Sequence, residues 1–74
     1  MRPHYRVNDT IDGDTLLRRS RTGQIELWHT SGDRYGVYLW TVRPGRLDDK
    51  LCAFRASLDD AQELFDSVSN QLGI

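Results

Sequence analysis

The run Tyr35-Gly36-Val37-Tyr38-Leu39-Trp40-Thr41-Val42-Arg43 constrains the fold more than any other stretch. Its aromatic and β-branched residues mark a strand. Strand side chains alternate between faces, so Val37 and Leu39 share one face while Tyr38 and Trp40 share the other. A strand that is apolar on both sides needs cover on both sides. The chain offers one helix to do it.

That helix is the C-terminal segment. Leu58, Ala61, Leu64, Phe65, Val68 and Leu72 recur at steps of three and four, which aligns them on one face. Ser57 is placed to cap the N-terminus, with Asp60 three residues later. Gly73 is a natural stop. Asp59, Asp60, Glu63 and Asp66 form an acidic face, favoured early in a helix by its dipole.

The remaining strands precede it. Residues 5–7 read as a short edge strand, and 8–14, rich in Asn, Asp and Gly, as a turn. Thr15 to Arg21 and Gln24 to Thr30 read as a hairpin closed by Thr22-Gly23. Ser31-Gly32-Asp33 turns into Tyr35–Arg43, Pro44-Gly45 ends that strand, and Lys50 to Arg55 is the last strand. The expected fold is α+β: an antiparallel meander of three or four strands with one C-terminal helix on one face. With 74 residues, one domain spanning 1–74 is expected.

Closure at Thr22-Gly23 sets Arg19 against Glu26 and Leu17 against Trp28. A three-residue loop at 31–33 then puts Val37 and Leu39 beside Ile25 and Leu27, facing the helix. Trp28, Tyr38 and Trp40 fall on the outer face with Arg19 and Arg21. A four-residue loop at 31–34 would exchange the faces of the third strand. The first register is expected, because one helix offers an aliphatic stripe suited to an aliphatic partner face. The aromatic face is then left open, rimmed by arginine, as at a protein interface. Alternatively, residues 1–14 fold over it.

Charge narrows the function classes. The first 55 residues carry all ten bases and seven of the eleven acids, and the overall charge is −1. A duplex-DNA binder is usually plainly basic, because phosphate neutralisation supplies most of its affinity. Arg18-Arg19-Ser20-Arg21 is the densest basic stretch. With Trp28, Tyr38 and Trp40 it would make a stacking platform for single-stranded nucleic acid.

Candidates for covalent chemistry are few. His29 reads as a solvated strand residue, and Cys52, the single cysteine, as a small buried hydrophobe. Asp9, Asp12 and Asp14 read as a turn, since their spacing departs from a calcium-binding loop. No metal site, cofactor or enzymatic activity is expected. No apolar run approaches the roughly 20 residues of a membrane span, no leader sequence is evident, and a lone cysteine suits a reducing cytoplasm.

In size and layout the chain resembles small phage-encoded inhibitors such as anti-CRISPR proteins. The strand-then-helix order is also similar to WGR-type nucleic-acid domains, although Trp40-Thr41-Val42-Arg43 stands in place of their Trp-Gly-Arg signature. The leading expectation is a non-enzymatic protein-interaction module, an inhibitor or accessory factor of a phage or mobile element. Its partner would be another protein or a second copy of itself, bound through Arg19, Arg21, Trp28, Tyr38 and Trp40 or through the acidic helix face. A nucleic-acid-binding module is the alternative.

Overall fold

A computed structural model describes residues 5–43 and 46–73, with the backbone alone for 41–43 and 46–51. Five strands form one antiparallel sheet in sequence order: β1 (Thr10–Ile11), β2 (Asp14–Arg19), β3 (Ile25–Thr30), β4 (Arg34–Arg43) and β5 (Arg46–Arg55). Helix α1 (Leu58–Leu72) follows and packs mainly on β3 and β4. The class is α+β, with five strands where three or four are expected from sequence. The fifth is the two-residue β1, which lies inside the segment read as a turn and pairs Thr10 with Thr15. Residues 5–7 are not a strand. The last strand starts at Arg46 rather than Lys50, and Pro44-Gly45 lie outside the described residues.

The loop after β3 has three residues. Gly32 and Asp33 both take positive φ there, at 93° and 56°, and only such residues turn so tightly at low cost. The resulting register pairs Ile25 with Leu39 and Leu27 with Val37. Ile25, Leu27, Val37, Ala61 and Phe65 make the core beneath α1, flanked by partly buried Leu17, Tyr35, Leu39, Leu64 and Val68. Ser57 caps α1 as expected, its Oγ accepting the Asp60 amide at 3.2 Å, and Gly73 closes it in the left-handed conformation. Leu58 and Leu72, the first and last residues of α1 and expected on the buried face, are 37% and 51% exposed.

Two bulges depart from simple alternation. In β2, Leu16 pairs with Trp28 and Arg18 with Leu27, so Leu17 is the extra residue and Leu16, not Leu17, faces Trp28. Leu17 and Arg18 consequently both turn to the helix side, and Arg19 returns to the outer face opposite Glu26. In β5, Ala53 pairs with Val37 and Leu51 with Tyr38, which leaves Cys52 as the extra residue. Cys52 is exposed rather than buried, since a bulged residue escapes the in-and-out pleat.

Candidate functional site

The outer face holds the aromatic residues and buries both of its indoles. Trp28 is 2% and Trp40 9% exposed, Leu16 is fully buried, and Tyr38 is half-buried. Residues of the N-terminal segment supply part of the cover. Asn8 donates its N–H to the Leu16 carbonyl at 2.7 Å, Leu16 donates to Asp9 at 3.0 Å, and the Tyr5 ring meets Trp28 edge-on at 5.9 Å. Gly36, opposite both Trp28 and Phe54, leaves room for this layer. A Cβ there would stand 2.8 Å from Tyr38 Cε2 and 3.2 Å from Phe54 Cε1. The open aromatic patch expected from sequence is therefore a second, internal packing layer.

Glu26 organises it. Its Oε1 accepts both indole N–H groups, from Trp40 at 2.7 Å and Trp28 at 3.1 Å. Its Oε2 accepts Arg19 through Nε at 3.0 Å and Nη2 at 2.8 Å. One carboxylate that is 5% exposed thus satisfies four donors. A buried charge persists only when paired and hydrogen-bonded in this way. The cross-strand pairing of Arg19 with Glu26 is legible in the sequence. The convergence of the indoles is signalled only by an acid set among the apolar residues Ile25, Leu27 and Trp28.

The structure separates the other candidates. Arg21 leaves the sheet: the hairpin closes as a four-residue loop, 21–24, pinned by Ser20 N–H to Ile25 carbonyl at 2.9 Å and Gly23 N–H to Ser20 carbonyl at 2.9 Å. Arg21 is exposed there. The acidic face of α1 is exposed but not uniform. Asp60 donates its backbone amide to the capping Ser57 Oγ, Asp66 pairs with Arg18 at 2.9 Å, and Asp59 and Glu63 face solvent. Arg18 also stacks over the Phe65 ring at 4.3 Å. His29 is half-buried, with its ring 4.9 Å from Tyr35 and Nε2 3.8 Å from the Asp33 carboxylate. Asp9 accepts the Arg6 amide at 2.9 Å, as a turn-forming carboxylate does, whereas Asp14 opens β2 and accepts the Ser31 amide of the β3–β4 loop at 2.9 Å. Among the described residues no His, Cys, Asp and Glu cluster could hold a metal ion, and no helix is long and apolar enough to cross a membrane.

What the sheet does present is an edge. One side ends in β1, two residues long and followed by Asp12 and Gly13 at positive φ. The other ends in β5, ten residues long, with exposed Cys52 at its bulge. Among the described residues no strand pairs with the outer edge of β5. No family model, curated protein or solved structure matches the chain.

Proposed function

We propose that the chain is a non-enzymatic protein-interaction module of the inhibitor or accessory class, which offers the β5 edge to a strand of a partner protein. The asymmetry of the two sheet edges carries this reading. Sheets commonly blunt their edges with short strands, and β1 follows that practice. β5 has ten residues, about twice the usual strand length. Main-chain groups along such an edge supply the affinity in strand addition, and neighbouring side chains supply the specificity. The aromatic residues do not compete for this role, because both indoles are buried against Glu26. The same burial weighs against the nucleic-acid alternative, since both indoles and Arg19 are engaged by Glu26.

Cys52 makes the test direct. A thiol-reactive benzophenone attached there samples the β5 edge in extracts of the native host. A single discrete adduct from position 52, reproduced with the purified partner, supports the reading. Adducts obtained only from a probe at Gln62→Cys, in a Cys52→Ser background, would move the interface to the helix and refute it.

A further inference from the structure

We propose that the cleft between the β2–β3 hairpin tip and the C-terminal half of α1 binds a phosphoryl group, independently of the β5 edge. The cleft has a volume of about 460 Å³. Arg18, Arg19 and Arg21 line it from the hairpin, and Asp66, Ser69 and Asn70 from the helix. Arg18 and Arg21 present their cations there against Asp66, while the Arg19 guanidinium turns to Glu26 on the outer face of the sheet.

Each cation has a different standing. Arg19 is held by Glu26 through two nitrogens. Arg18 is fixed by Asp66 at 2.9 Å and by the Phe65 ring at 4.3 Å, which leaves a positioned guanidinium at the cleft wall. Arg21 is exposed and makes no ion pair or hydrogen bond among the described residues. On the opposite wall the Ser69 hydroxyl is shielded from solvent and has no hydrogen-bond partner among the described residues. A buried hydroxyl without a partner needs an explanation in a native fold. An anion in the cleft provides one, at the cost to Ser69 of a rotamer step about χ1.

The donor set favours phosphate over a carboxylate. A carboxylate is planar and is satisfied by one guanidinium fork. Here guanidinium, hydroxyl and amide donors come from two walls, which suits a tetrahedral anion with acceptors on every side. The competing explanation is that Arg21 serves the helix: the last turn of α1 has no basic residue of its own, and a cation there favours the helix dipole.

The two explanations separate in an NMR titration of the full chain with inorganic phosphate. Acetate and chloride at matched ionic strength serve as parallel arms. Saturable shifts are expected at the amides of residues 18–21 and 69–70 with phosphate alone. Affinity should fall by about tenfold or more in both Arg21→Gln and Ser69→Ala, and stay unchanged in Arg6→Gln. Equal shifts with acetate, no saturable shift, or full affinity in Arg21→Gln would overturn the proposal. If Arg21→Gln proves too unstable to titrate, undiminished affinity in Ser69→Ala overturns it.

Discussion

Glu26 is the residue on which the outer layer depends. Four N–H donors converge on its carboxylate. Removing one partner of a buried ion pair typically costs about 3–5 kcal/mol, because the other charge is stranded. Glu26→Ala should therefore lower stability by about that much in urea unfolding. Replacing Arg19 and Glu26 together by hydrophobic residues should cost clearly less than the two single changes combined, since no charge is then left buried. A fully additive double mutant would show that the pair is not coupled. Gly36 sets a second local condition. Its substitution by Ala places a methyl 2.8 Å from the Tyr38 ring, and overpacking of this kind typically costs about 1–3 kcal/mol. An Ala variant as stable as the parent would mean that the rings move aside freely.

At the scale of elements, α1 is readable from sequence because three independent signals agree: apolar spacing, the Ser57 cap and the Gly73 stop. Phe65 is its main anchor in the core, 2% exposed. Phe65→Ala should cost about 3–5 kcal/mol and Ser57→Ala about 1 kcal/mol, both measurable by thermal or chemical unfolding. If Phe65→Ala melts near the parent, the helix does not dock on Ile25, Leu27 and Val37. The register of β3 with β4 is also legible, since Ser31-Gly32-Asp33 holds the residues that a three-residue turn demands. The bulges are not. Nothing in Leu16-Leu17-Arg18 or Leu51-Cys52-Ala53 marks an extra residue, because a bulge is fixed by how neighbouring strands and the helix pack. That is why Leu17 is read one face away from its place, and Cys52 as buried when it is exposed. β1 escapes for a related reason: two residues carry no periodicity.

At the scale of the whole molecule, the sequence poses a covering problem that the structure solves twice. The aliphatic side of the sheet is covered by α1. The aromatic side gathers two indoles, a carboxylate and the Tyr5 ring into a layer of its own. The candidate surface therefore moves from a sheet face to a sheet edge, and that step was not legible, because composition does not reveal whether aromatics cover one another. Acrylamide quenching of tryptophan fluorescence in the isolated chain tests it most directly. Burial of Trp28 and Trp40 should give a blue-shifted emission and slow quenching, with Glu26→Ala raising the quenching rate. An emission maximum and quenching rate close to those of a free tryptophan amide would contradict the internal layer, and with it the assignment of the β5 edge as the interaction element.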